Sequence, residues 1–368
     1  MRIAQVAPLA ESVPPKLYGG TERVVAWLVD ELIELGHEVT LFASGDSATR
    51  ARLVACCAKA LRLGRPRADG TAAQAVLLEA LARQAGEFDV VHFHFDWLHL
   101  PLVTRLGVPF VTTAHGRLDL PGLPEIVGRF PAAPMVSISN NQRLPLGGAN
   151  WIGNVYHGLP AASLAPSFEP GSYLAFLGRL TKEKGPEAAI RIARAAGLPL
   201  RIAAKVPRAE AGYFREKLAP QIDGDFVRLV GEVDDTTKHG FLAGAVALLF
   251  PIDWPEPFGL VMIEAMACGT PVIAFRSGSV PEIVEEGVTG FVVDGEAEAV
   301  DAVRRLPSLD RARVRAGFER RFTARRMAEQ YLDLYETLMR QSRGDCGRAA
   351  TGPWADHSSR TTVSTDRG

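Results

Sequence analysis

Cysteine is scarce and poorly placed in this 368-residue chain: Cys56 and Cys57 are adjacent, while Cys268 and Cys346 stand alone. That spacing excludes a disulfide framework and a cysteine-based zinc site. A basic excess is also missing. The formal net charge is −1, so nothing in the composition points to nucleic acid as a partner. No apolar run reaches the length of a membrane span, and the opening residues MRIAQVAPLAES carry no apolar signal core, so the expected setting is cytoplasmic. Two nucleotide-site signatures are absent as well. No G-x-G-x-x-G follows the first strand pattern, and no Asp-x-Asp stands at a strand end where it could hold a phosphate-bound metal. Asp234-Asp235 opens a polar helical pattern instead. No metal and no cofactor is therefore expected.

What is present is a chain too long for one ordinary core, which favours two domains. Its most informative stretch is PEPFGLVMIEAMACGTP, Pro255 to Pro271. Ahead of it, AVALLF (Ala245 to Phe250) reads as a buried parallel strand, so Glu256 falls at a strand's C-terminal end. Pro257 and Gly259 break the chain, a helical pattern runs from Leu260 to Cys268, and Gly269 and Pro271 end it. Unpaired amides at Gly259 and Leu260, with the positive end of a helix dipole behind them, form an anion site suited to a diphosphate. Glu264, one turn on, suits a vicinal diol such as a ribose, because a carboxylate accepts two hydrogen bonds side by side. Together these describe a nucleotide-sugar pocket.

The rest of the chain alternates strand and helix patterns. A strand over Arg2 to Ala7, a helix with Thr21 as N-cap and a strand over Glu38 to Ala43 form a first βαβ unit, with Gly19-Gly20 placed for close backbone approach to a ligand. Arg50 to Arg67 is basic and amphipathic and reads as a helix face, with docking of an anionic or lipid-linked acceptor at the inner membrane face as its functional version. Strands over Phe88 to Phe95 and Val108 to Ala114 end in His92, His94 and His115, where α/β sheets place their ligand crevice. His92 and His94 share a strand face that geometry would allow to hold a metal, although no further ligand recurs at suitable spacing. Strands over Pro134 to Ser139 and Trp151 to Tyr156 complete about six in a first doubly wound domain, residues 1–159. Pro, Ala and Ser between 160 and 171 suggest a linker. A second α/β domain spans 172–322, a helix at 323–341 packs back on the first, and 342–368 reads as a disordered tail. Arg179 and Lys184, after the second domain's first strand, could neutralise a diphosphate leaving group in place of a metal.

In order and context, Gly19-Gly20, His115 in TTAHG, Arg179 and Lys184 in GRLTKEKG, and Glu256 and Glu264 with seven residues between resemble family four of the nucleotide-sugar glycosyltransferases. The resemblance covers the chain up to about Met339. It implies the GT-B fold, two Rossmann-like domains facing each other across a cleft with the last helix crossing back. It also implies metal-independent, retaining transfer from a nucleoside diphosphate sugar, a UDP-sugar, to an acceptor that the chain does not specify. By the same resemblance Arg179 and Lys184 hold the diphosphate, Glu264 the ribose, and Glu256 the sugar hydroxyls beside the amides of Phe258 to Leu260; backbone near Val230 to Val233 is expected to hold the base. Gly20 lets the N-domain meet the diphosphate, and His115 lies over the sugar. Where many members have Asn-Gly, this chain has His157-Gly158, which leaves His157 without an inherited role. Acceptor choice is expected from the loops Ser44 to Gly70 and Gly116 to Pro131. Two other classes share the architecture: a sugar-nucleotide epimerase, which releases no UDP, and a non-catalytic nucleotide-sugar sensor, which binds without turnover.

Overall fold

The computed structural model describes residues 1–16, 19–62, 69–95, 97–169 and 171–349. The first sheet contains β1 (Arg2–Val6), β2 (Glu38–Ser44), β3 (Arg52–Cys57), β4 (Val90–Phe93), β5 (Phe110–Thr113), β6 (Pro134–Ser137) and β7 (Asn150–Asn154). The second contains β8 (Tyr173–Arg179), β9 (Leu200–Lys205), β10 (Val227–Gly231), β11 (Ala245–Phe250), β12 (Val272–Phe275) and β13 (Gly290–Val293). Both are parallel, in the orders β3-β2-β1-β4-β5-β6-β7 and β10-β9-β8-β11-β12-β13. Strand order reverses between β1 and β4 and again between β8 and β11, so each sheet opens a ligand crevice at the C-terminal ends of those strands. β1 and β11 carry short apolar runs buried on both faces, as parallel strands covered by helices require.

The helix Leu260–Ala267 is apolar nearly all round and sits inside the second unit's core with Met262, Ile263 and Met266 at 0% exposure. The chain then passes through the helix Arg311–Arg321 and returns. Gly158 lies so close to this return that a Cβ there would stand 2.2 Å from the Thr323 carbonyl oxygen. Leu159 bonds the residues on both sides of Thr323, its N donating to Phe322 O at 3.0 Å and its O accepting from Ala324 N at 2.9 Å. From there the helix Ala324–Ala349 crosses onto the first unit, where Met327, Tyr331 and Tyr335 share a core with Val24 and Leu28 of the helix Gly20–Glu34.

Three expectations need correction. Arg50 to Arg67 is not a basic helix: Arg52–Cys57 adds an edge strand beside β2, making seven strands rather than six. A six-residue run with β-branched and cysteine side chains suits an edge strand, and periodicity alone could not decide it. Among its described arginines, Arg50 pairs with Glu34, Arg52 with Glu87 and Arg62 with Glu11; positions 63–68 lie outside the described residues. The first helix starts at Gly20 on an uncapped Gly19 rather than behind a Thr21 cap. The last helix runs to Ala349, past the expected tail start at Ser342, and the remainder of that tail, 350–368, is outside the described residues. No helix among the described residues is long and apolar enough to cross a membrane.

Candidate active site

The end of β8 delivers Arg179, and a short turn carries Lys184 to the helix Pro186–Ala196. Gly185 closes that turn at φ +69°, where a Cβ would lie 2.0 Å from the Pro251 carbonyl oxygen, so only glycine lets the turn rest on the end of β11. The backbone amide of Asp253 donates to Glu183 O at 2.8 Å and ties the two loops together. Lys184 Nζ consequently bonds Glu256 Oε2, with both side chains only 13% exposed. The same ammonium stands 5.1 Å from the Trp254 ring centre, within cation–π reach.

Glu256 is held from behind by the loop after β12. Gly278, at φ +55°, would place a Cβ 2.4 Å from the Glu256 backbone, and Ser279 N donates to Glu256 O at 2.9 Å while its hydroxyl donates to Phe258 O at 2.8 Å. Gly259 at φ +80° then opens the helix Leu260–Ala267, whose first turn has no side-chain cap. From the other unit Gly20 faces this start, a Cβ on it lying 3.6 Å from Leu260 Cδ1, and Gly19 behind it has room for no side chain, since a Cβ would be 2.8 Å from that of Pro15. Glu264 is buried and accepts from Lys238 Nζ at 2.8 Å. Arg179 reaches Glu183 only at 3.7 Å, and its Nε is buried without a partner. Val233, after β10, is half-buried against the core that contains Phe258.

On the first unit, the ends of β4 and β5 bring His94 and His115 to the cleft, and the segment after β7 brings His157. His115 Nε2 lies 2.9 Å from His94 Nδ1, and His115 Nδ1 has no partner. His157 stacks on His115 with ring centres 5.1 Å apart and meets Phe258 of the second unit edge-on at 4.9 Å. It therefore fills the wall between the two halves. Burial, followed by the neighbouring imidazoles, pushes His94 and His157 well below the ordinary histidine range, and burial pushes His115 down to about 3. All three are neutral at pH 7. His92 and His94 hold no metal position open, because their ring nitrogens already meet Tyr335, Thr113, Gln5 and His115. Arg117 reaches across to stand 5.8 Å from the Trp254 ring.

The cleft thus presents cations over an uncapped helix start, two carboxylates and a neutral imidazole. Residues 165–320 match the family described as glycosyl transferases group 1, and residues 18–144 match glycosyltransferase family 4. The D-inositol 3-phosphate glycosyltransferase of Frankia alni is 30% identical over 295 residues, covering 66% of this chain and 72% of that protein. AviGT4, a glycosyltransferase involved in avilamycin A biosynthesis, is 30% identical with a TM-score of 0.70, covering 92% of this chain and 98% of its own. The chain belongs to glycosyltransferase family 4. The sucrose-phosphate synthase of Thermosynechococcus elongatus, at 20% identity, shares the fold alone, with a TM-score of 0.74 over 92% of this chain and 99% of its own. The fold of this family 4 enzyme is GT-B, two Rossmann-like units facing across a cleft.

Sequence reasoning had named Lys184, Glu256 and Glu264 without their contacts. It missed Lys238, Trp254 and the Gly278-Ser279 support. Lys238 had one available signal, its place one turn into the helix Asp235–Ala243 behind the Asp234 capping box. The Gly278 loop had none, because close backbone approach leaves no spacing pattern.

Proposed function

We propose that the enzyme takes its sugar from a nucleoside diphosphate sugar, a UDP-sugar, and transfers it with retention and without a metal. The observation that carries this reading is the pair of shielded Lys–Glu contacts, Lys184–Glu256 and Lys238–Glu264, flanking the uncapped start of the helix Leu260–Ala267. Lys184 and Arg179 have the charge to take the diphosphate, the Phe258 to Leu260 backbone the donors, and Glu264 the two lone-pair sets a ribose diol needs. Glu256 then faces the donor sugar and Val233 lies beside the base.

Retention follows a front-face route in this reading. The bond from the anomeric carbon to the β-phosphate oxygen breaks, the acceptor oxygen bonds that carbon on the same face, and the acceptor's proton passes to the departing phosphate oxygen. Lys184 and Arg179 stabilise the charge left on the diphosphate. A double displacement would need a free carboxylate at the opposite face, and in this reading Glu256 serves to bind the sugar hydroxyls instead. The acceptor enters from the first unit, beside the segments that flank β3 and the helix Leu123–Arg129.

A thermal-shift panel of nucleotide sugars, followed by NMR of the product's anomeric configuration, tests the reading. Stabilisation greatest with a UDP-sugar, release of UDP, a product of unchanged anomeric configuration and full turnover in EDTA are expected. An inverted product, or loss in EDTA restored by manganese, would overturn the mechanism. Turnover without UDP release would make the protein an epimerase.

A further inference from the structure

A continuous chain of hydrogen bonds joins the cleft histidine His115 to the last helix. His115 Nε2 meets His94 Nδ1 at 2.9 Å, His94 Nε2 meets Gln5 Oε1 at 2.7 Å, and Gln5 Nε2 meets the Tyr335 hydroxyl at 3.0 Å. The Tyr335 hydroxyl then meets His92 Nδ1 at 2.6 Å, and His92 Nε2 meets Thr113 Oγ1 at 2.7 Å. Gln5, His92, His94 and Tyr335 are each 0–2% exposed, so every donor in the chain must find its acceptor inside it.

Of these groups only the Gln5 amide has a fixed donor end and a fixed acceptor end. Its Oε1 faces His94, so His94 Nε2 carries the hydrogen. A neutral His94 then has a bare Nδ1, which accepts from His115 Nε2–H and leaves His115 Nδ1 bare as well. On the other side, Gln5 Nε2 donates to the Tyr335 oxygen, the Tyr335 proton goes to His92 Nδ1, and His92 Nε2–H donates to Thr113. All the donors point one way. Turning over the Gln5 amide would reverse each of these bonds and put an N–H on His115 Nδ1. That nitrogen is buried at the cleft and has no partner among the described residues.

We propose that Gln5 and Tyr335 are positioning residues that hold His115 as its Nε2–H tautomer, so that its bare Nδ1 accepts a hydrogen bond from a hydroxyl of the donor sugar. The hydroxyl as ligand rests on the sugar-transfer reading above; the tautomer does not. A bare lone pair also suits a site where positive charge develops at the sugar ring, whereas an N–H pointed there would oppose it.

The test is nitrogen NMR of the full chain labelled at histidine, with His115→Gln assigning the His115 signals. In the ligand-free protein at neutral pH, Nε2 should be protonated and Nδ1 bare. Tyr335→Phe removes the acceptor that orients the Gln5 amide, and Gln5→Met removes the amide itself at similar length. Each should give a mixture of tautomers and lower kcat roughly tenfold while the donor KM changes far less. A protonated Nδ1 in the wild-type protein overturns the proposal before any variant is made. Retention of a single tautomer and full kcat in both variants overturns the positioning role. Absence of turnover with every nucleoside diphosphate sugar overturns the donor reading and the hydroxyl ligand with it, while the ligand-free spectrum still decides the tautomer.

Discussion

Glu256→Gln separates the two duties that the Lys184–Glu256 pair places on one carboxylate. In the ligand-free protein the Lys184 ammonium is already satisfied by Glu256, and each side chain is only 13% exposed. A diphosphate arriving beside that pair must share Lys184 with a carboxylate that also repels it. Exposed ion pairs are worth about 0.2–1 kcal/mol, and breaking a fully buried one costs about 3–5 kcal/mol. A pair shielded to this degree falls between, at about 1–2 kcal/mol. Glutamine keeps the shape and removes the charge, so UDP should bind roughly 5- to 30-fold more tightly. Transfer should slow, because the carboxylate that orients the sugar hydroxyls is gone. Calorimetry with UDP alone, beside single-turnover rates with the UDP-sugar, measures both. A tenfold weaker UDP would refute the reasoning, showing that Glu256 holds Lys184 ready for the phosphate rather than competing for it. An unchanged rate would refute the sugar contact.

Glu264→Ala should weaken UDP by about 1.5–3 kcal/mol, the value of hydrogen bonds to a charged group. It should also lower Tm, because it takes a carboxylate partner from Lys238 at 12% exposure; adding Lys238→Met should recover Tm but not UDP binding, and recovery of both would remove Glu264 from the ribose site. Acid should destabilise the fold through its buried imidazoles. The folded-state values of His92, His94, His115 and His157 lie below the ordinary one near 6.5, so below that pH the unfolded chain binds more protons than the folded chain does. Their contribution to stability is therefore complete above about pH 6.5 and declines below it, by up to about 1.4 kcal/mol per pH unit for each histidine. Urea midpoints that rise as pH falls from about 6.5 to 5 would contradict this assignment.

Much of the site was legible because it is local in sequence. Glu256, the Gly259 break and Glu264 occupy one strand–turn–helix unit, so spacing alone fixes how far apart they stand. Their partners were not legible, since Lys184 and Glu256 are 72 positions apart and Lys238 and Glu264 are 26 apart. The Gln5–Tyr335 contact spans 330 positions and requires the whole chain to fold before it exists. At Arg52–Cys57 a local pattern pointed to a helix, and the unpaired side of β2 decided for a strand.

The position of the last helix explains why a chain of bonds so distant in sequence can still be rigid. Gly158 and Thr323 pass in backbone contact, and the two segments joining the units run side by side at that point. Beyond it, Tyr331 and Tyr335 belong to the first unit's core, with Val24, Leu28 and Val111. Gln5, His92, His94 and His115 lie on the same unit, at the ends of β1, β4 and β5. Rotation of one sheet against the other about the Gly158–Thr323 crossing therefore carries the entire hydrogen-bonded chain as one body. Among the contacts that bridge the units and must give way are His157–Phe258, Arg117–Trp254 and the bonds of the Glu282 carboxylate from Asn140, Asn141 and Tyr156. The orientation of His115 is thus set by the folded first unit before a donor enters the cleft, and closing the cleft over a donor need not reorganise it.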